Sequence, residues 1–387
     1  MLWMHGGPAT IDLWDLKPGA ETGGPFRPIP TSVPGVQISE HLPGIAKQMH
    51  HLAVIRSIST TEADPERGAY KMRTGYAPNV ALQHPAFGAV AGYELGLQRK
   101  EFDLPHYISI NSPGGGAGFL GPAHAAFAVQ TSPVQNLLAP GHLAPFRLEN
   151  RLALQRLIDE EFIGEDRGIA ARDHKEVYQK AARMMGSRRL DAFRLDREDA
   201  KTRERYGDSD FGRGCLLARR LVEAGVSSVE VGMSGWEQLY RDAFEVQRTR
   251  LQPELDRGMG ALVQDLAARG LLAKTLIVWT AGLSRSPRIN RAGGRDHWAR
   301  SWSVVIGGCG IRGGQVIGVT NEDGSEIAER PVDVPDLIAT IYGALGVPLD
   351  RHYTAPRGRP YWVVDPDAGA HPIAELLSQE NSPAAAN

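Results

Sequence analysis

Apolar residues in this chain recur in two rhythms. Leu52–Ile58 (LAVIRSI), Tyr107–Ile110, Ser227–Val231, Thr275–Thr280 (TLIVWT) and Ser303–Ile306 are short, nearly continuous apolar runs rich in β-branched residues. That composition marks strands buried on both faces, as in a parallel sheet. Met1–Met4 (MLWM) reads as another such strand, with His5-Gly6-Gly7-Pro8 as its exit loop. A buried strand usually runs about five or six residues, so the chain is expected to begin inside its first strand. The second rhythm is helical. Leu255, Met259, Leu262 and Leu266 share one face, and Gly270 stands where a C-terminal cap belongs. Phe211, Cys215, Ala218 and Val222 form another stripe closed by Gly225, and Leu337, Ile341 and Leu345 a third, opened by Asp333 with Pro335 and closed by Gly346. Helix, glycine, strand repeats in LVEAGVSSVEV and LAARGLLAKTLIVW. This alternation predicts an α/β fold, with a mostly parallel sheet covered on both faces.

Three stretches break the rhythm. Gly19–Gly44 is rich in Pro and Gly and reads as an ordered surface loop over the sheet edge. Residues 147–210 are charged and helical in pattern, as expected of an insertion or cap. Basic residues there, such as Arg188, Arg189 and Arg194, alternate with acids, the mark of a solvated helix face. The end, residues 379–387 (QENSPAAAN), has a disordered composition. The expected organisation is therefore one domain over residues 1–378 with a helical insertion at about 147–210, then the tail. A chain of 387 residues is long for one domain but suits a large sheet.

Charge adds mainly exclusions. Lys and Arg number 43 against 45 Asp and Glu, and a net charge of −2 supplies no field to draw the whole molecule onto nucleic acid. No run approaches the roughly 18 apolar residues of a membrane span, and no signal peptide is visible. Cys215 and Cys309 fall in a helix pattern and at a strand end, and both read as unpaired buried thiols.

Open parallel sheets bind ligands beyond the carboxyl ends of their strands. His5, Asp12 and Asp15 follow the first strand; Glu237 follows Ser227–Val231; Arg285 and Arg288 follow Thr275–Thr280, with Arg295, Asp296 and His297 just beyond. Two histidines and several carboxylates on one rim suit a divalent ion such as zinc or manganese. The arginines suit an anionic group. Plainer roles stand beside these: His5 as a loop residue, Asp12 and Asp15 in turns around Trp14, Glu237 at a helix start. The run Gly114–Gly118 lacks the Gly-Lys-Ser/Thr ending of a phosphate-binding loop and reads as a flexible surface loop. Neither a GxSxG elbow nor an HExxH helix is present.

The stretches LWMHGGPATIDLWDLKPG, GPFRPIPTSVPGVQISEHLPGIAKQMHHLAVIRSIST, ERGAYKMRTGYAP, FGRGCLLARRLVEAGV, SPRINRAGGRDHWARSWSVVIGGCGIRGGQVIG and RPVDVPDLIATIYGALG resemble, in order and over roughly residues 1–375, the domain of unknown function 1501 family. The resemblance implies the alkaline phosphatase and sulfatase superfamily: a large αβα sandwich, often with two metal ions beside a nucleophile that cleaves phosphate or sulfate esters. It also implies export from the cytoplasm. On this resemblance His5, Asp12 and His297 match metal positions, with Glu237 in the family's Gly-Trp-Asp-x-His motif; Leu239 replaces that motif's His, Gly282 an acidic ligand, and Pro65 falls at the nucleophile position. Two metals with about six shared ligands are the usual hydrolytic arrangement. The expectation is thus at most one ion (zinc, manganese or calcium) held by His5, Asp12, Glu237 and His297, with Arg285, Arg288 and Arg295 on substrate. Two functions follow from it: a metal-dependent ester hydrolase with a degenerate site, or a non-catalytic binding protein for an anionic small molecule, a sulfated or phosphorylated glycan, or a protein partner.

Overall fold

The computed structural model describes residues 1–378, except residues 98, 100, 131–133, 135–136, 138–144, 165–168, 241, 356–357 and 359. The tail expected to be disordered, residues 379–387, lies outside the described residues.

The apolar runs do become strands, with one short strand, β4, that was not expected among them: β1 (Leu2–Met4), β2 (Leu52–Ser59), β3 (Tyr107–Ile110), β4 (Phe127–Val129), β5 (Ser228–Met233) and β6 (Ile277–Thr280). A hairpin of β7 (Ser284–Ile289) and β8 (Arg295–Trp298) follows, then β9 (Trp302–Gly307) and the two-residue β10 (Val316–Ile317) and β11 (Val332–Asp333). Eight strands lie in the order β10-β2-β9-β6-β1-β5-β3-β4, and β11 adds to β2 beside β10. Their pairings are parallel except those of β9, which runs antiparallel to both β2 and β6. The first strand is central: Leu2 pairs with Val231 on one side and Trp279 on the other.

Because successive strand side chains point to opposite faces, each strand feeds two cores. Leu2, Met4, Ile108, Val231, Trp279 and Val305 face one way. There they meet Phe211, Cys215 and Leu221 of α5 (Asp210–Glu223) and Leu255, Met259 and Leu266 of α6 (Gln252–Ala268). Trp3, Ala53, Ile55, Val278, Val304 and Ile306 face the other way. They meet Met72 of α1 (Pro65–Thr74), Val90 of α2 (Phe87–Gly96) and Leu337 and Ile341 of α7 (Val334–Leu345). The result is a three-layer αβα arrangement around a mostly parallel sheet.

In the charged stretch α3 (Pro145–Gly164) and α4 (Ile169–Met185) pack on each other, followed by short 3-10 turns at Arg188–Phe193 and Leu195–Arg197. The Pro- and Gly-rich segment contains a small ladder, Pro28–Pro30 against Gln37–Ser39. Cys215 is buried, Cys309 half-buried, and both are free thiols. The glycine run differs from expectation. The backbone N–H of Gly115 donates to the buried Tyr107 hydroxyl at 2.8 Å and that of Gly114 to Ser112 Oγ at 3.2 Å, so the segment is tied down against β3.

Candidate functional site

Loops leaving β1, β5 and β6 meet at the carboxyl ends of the parallel strands. The His5 N–H donates to Met233 O at 2.9 Å, and the Trp236 N–H to His5 O at 3.2 Å, which stitches the first loop to the one carrying Glu237. Gly6 has φ 98°, and a Cβ there would stand 2.7 Å from the Glu237 carboxyl carbon. The glycine is what allows Glu237 to close over the loop. His5 is half-buried; burial holds its imidazole below the usual histidine value, Glu230 and Glu237 opposing and Arg73 reinforcing the shift. It is therefore neutral near pH 7.

Asp12 occupies a 3-10 turn, Thr10–Asp12, and is 1% exposed. Arg295 of β8, also 1% exposed, grips it in a fork: Nη2 to Oδ1 at 2.7 Å and Nε to Oδ2 at 3.0 Å. Gln247 Nε2 donates to the same Oδ2 at 3.3 Å. Arg295 also donates to the carbonyls of Thr22, Ser286 and Pro287, and its guanidinium lies 5.4 Å from the Phe244 ring centre. The carboxylate is thus neutralised by a fixed cation and the cation spent on the carboxylate. Asp12 offers no free charge to a metal, nor Arg295 a free fork to a substrate.

Arg285 of β7 is equally enclosed, at 2% exposure. Its Nε donates to Gly6 O and Gly7 O, both at 3.1 Å, and its Nη2 to Gly6 O, so it braces the His5 loop from beneath. Burial holds this guanidinium below the usual arginine value, while Glu237 and Asp296 counteract. Arg285 also stands opposite His297 in the β7–β8 ladder. His297 is exposed; its imidazole is held below the usual value by partial burial and then by Arg285, with Asp296 and Asp64 opposing. A cation is therefore the neighbour common to Glu237 and His297. Of the three arginines expected at the rim, Arg288 alone is exposed.

Among the described residues, no group of three or more His, Cys, Asp or Glu side chains is gathered closely enough to hold an ion. The donor set of His5, Asp12, Glu237 and His297 does not fit a metal, because Arg295 takes Asp12 and Arg285 stands beside the remainder. The resemblance implies an acidic residue at the position of Gly282, and α1 lies close against that glycine. A Cβ on Gly282 would lie 2.8 Å from the Ala69 Cβ, so α1 fills the space a longer side chain would need. Pro65 has a local role as the first residue of α1, where its absent N–H costs nothing. The neighbouring Asp64 caps that helix, its Oδ1 accepting the N–H groups of Glu66 and Arg67, both at 3.0 Å.

Sequence reasoning passed over a second buried pair. Glu230 of β5, 0% exposed, receives Arg73 of α1 in a bidentate bond, Nη1 to Oε2 at 2.5 Å and Nη2 to Oε1 at 2.6 Å. The Tyr107 and Ser112 hydroxyls donate to it at 2.8 and 2.6 Å, and Arg73 lies 3.9 Å above the Trp3 ring centre. Burial alone would raise the Glu230 carboxyl; the Arg73 bond and charge outweigh it and hold it below the usual range. The available signal was a glutamate inside the apolar strand VEV.

The family described as "Protein of unknown function (DUF1501)" matches residues 1–377. No curated protein matches the chain. Among solved structures, the PsFucS1 sulfatase from Pseudoalteromonas sp. is similar at 15% identity and a TM-score of 0.36, over 79% of this chain and 62% of the sulfatase. Ps i-CgsB in complex with k-i-k-neocarrahexaose is similar at 11% identity and a TM-score of 0.37, over 79% of this chain and 67% of that one. The chain thus spans about three fifths of the length of the first. Likeness at this level fixes neither reaction nor ligand.

Proposed function

The chain belongs to the DUF1501 family of proteins of unknown function, and we propose that within it this protein binds rather than cleaves: it is a non-catalytic member of the sulfatase-like superfamily that recognises a sulfated or phosphorylated glycan. The observation that carries this reading is the closed Asp12–Arg295 pair, with both side chains 1% exposed. A guanidinium sits on the carboxylate that a metal-dependent esterase would need.

The ligand class is supported by the β7–β8 hairpin. Arg288, Arg291 and Arg300 are exposed on or beside it, and none of them is in an ion pair among the described residues. The Arg300 guanidinium lies 5.5 Å from the Trp298 ring centre, and Tyr240, 67% exposed, bridges to Gly293 in the hairpin turn. Sulfate or phosphate oxygens suit arginine forks. The apolar face of a sugar ring suits an exposed aromatic ring with a polar edge.

Dextran sulfate oligomers and uncharged dextran are the discriminating pair. Calorimetric titration is expected to show binding of the first only, weakened about 10-fold or more in the triple variant Arg288→Ala, Arg291→Ala, Arg300→Ala. The same preparation, supplied with zinc, manganese or calcium, is expected to leave p-nitrophenyl sulfate and p-nitrophenyl phosphate intact. Metal-dependent turnover that disappears in His297→Ala would refute the binding-only reading and restore the hydrolase.

A further inference from the structure

At the amino end of β3, the opposite end of the strands from the rim, a cavity of about 310 Å³ opens between α2, the 3-10 turn Pro122–His124 and α4. One water needs only roughly 10–15 Å³. Two aromatic pairs line the cavity: Tyr93 and His124, edge to face at 4.8 Å, and Phe102 and His106, tilted at 5.0 Å. Arg99, Lys180 and Arg183 join them. Lys180 Nζ donates to Ala123 O at 2.9 Å and pairs with Glu176 at 3.0 Å, which leaves one of its three N–H groups for a ligand. Arg99 Nη1 donates to Gly225 O at 2.9 Å. Arg99 and Arg183 are exposed, and neither is in an ion pair among the described residues. The two carboxylates of the lining are already matched, Glu176 by Lys180 and Asp103 by Arg189 at 2.9 Å. Among the described residues the lining holds no Ser, Thr, Asn or Gln. Burial and then Lys180 hold the imidazoles of His106 and His124 below the usual value. Arg99 reinforces the shift of His106; His106 reinforces that of His124, and Glu176 opposes it. Both rings are therefore neutral near pH 7.

We propose that this cavity is a second binding site, for a small organic anion: a carboxylate carried on a flat apolar body such as an aromatic ring. Lys180 and Arg183 take the carboxylate, and the rings of Tyr93, Phe102 and His106 take the apolar body. The arginines without an ion pair set the sign of the ligand, because a neutral one would leave their charge unmatched. A sugar does not suit the site, since a ring of hydroxyls needs the amide and hydroxyl partners that this lining lacks. Inorganic phosphate would satisfy the cations but leave the aromatic walls in water. A volume near 300 Å³, aromatic walls and a few polar groups are the usual makings of a small-molecule site. The cavity lies at the opposite end of the strands from the arginine-bearing hairpin, so it stands or falls independently of the glycan reading.

Calorimetric titration of the full chain with naphthoate, naphthamide and inorganic phosphate reads the site directly. Naphthoate is expected to bind one per chain, about 10-fold or more tighter than either of the others. Lys180→Gln and Arg183→Gln should each weaken naphthoate by about 5- to 10-fold with the urea midpoint little changed. The triple variant Arg288→Ala, Arg291→Ala, Arg300→Ala should bind naphthoate as the unaltered protein does. Histidine C2-proton resonances give a readout that requires no variant. A carboxylate beside His106 and His124 favours their charged forms, so saturating naphthoate should move two histidine titrations to higher pH. Absence of naphthoate binding, or equal affinity for naphthamide, would overturn the proposal. Phosphate binding as tightly as naphthoate would remove the apolar body from it and overturns it too. So does naphthoate binding that survives both single variants and leaves every histidine titration in place, because the ligand is then held elsewhere.

Discussion

Removing one member of a buried ion pair leaves the other charged, dry and unmatched, which costs far more than the pair itself contributes. Asp12 and Arg295 are at that limit, with side-chain exposures of 0% and 1%. Arg295→Ala is expected to destabilise the protein by about 3–5 kcal/mol, read from the urea midpoint, and Asp12→Ala by a similar amount. Replacing both with apolar residues of similar volume should recover most of the loss. If Asp12→Ala instead left stability unchanged but abolished a metal-dependent activity, the pair would not be the resting state in solution. The sequence made both residues visible as chemistry-bearing groups near strand ends. It could not show that they face each other across 283 positions, since pairing at that separation depends on where two loops land on the sheet. His297 and Glu237 carry the same lesson: both were legible as ionisable groups, while Arg285 between them is placed by the β7–β8 register.

At the scale of elements, α1 shows how local rules shape the site. Asp64 at the N-cap, Pro65 in the first turn and Gly75 in the left-handed C-cap conformation, φ 80°, delimit the helix. Asp64→Ala is expected to cost about 1 kcal/mol in unfolding free energy. The same variant should leave glycan affinity at the rim within error, since the cap carboxylate serves the helix; a larger loss of binding than of stability would place Asp64 in the ligand site. The long helices α5, α6 and α7 and the central strands were legible because burial imposes a period of about 3.6 or an unbroken apolar run on them. The β7–β8 hairpin was not. SRSPRI and RDHW alternate nothing apolar. The hairpin is held by its bonds to the loop after β5, such as the Arg295 N–H donating to Gln238 O at 2.6 Å, and by Asn290 Nδ2 donating to Leu239 O at 3.1 Å.

Over the whole molecule, several histidines are held below their usual value by burial: His5, His84, His106, His124 and His297 among them. His124 is the most displaced, from 6.5 to about 4, by burial first and then by Lys180. An unfolded chain takes up protons through this window that the folded chain refuses, so stability is full above about pH 6.5 and declines as the pH falls towards 4. Urea midpoints should therefore be lower at pH 5 than at pH 7.5, with a shallower decline in His124→Gln. An identical profile in the variant would show that His124 binds its proton normally in the folded state. No helix among the described residues is long and apolar enough to cross a membrane. What the sequence by itself determined was the layered α/β fold, because the periodicity of burial is written into consecutive residues, and the roster of charged side chains at strand ends. Tertiary structure alone decided their use. Whether a carboxylate meets a metal or a guanidinium depends on partners brought from hundreds of residues away, and here the β7–β8 hairpin brings Arg295 onto Asp12 and Arg285 beneath the His5 loop.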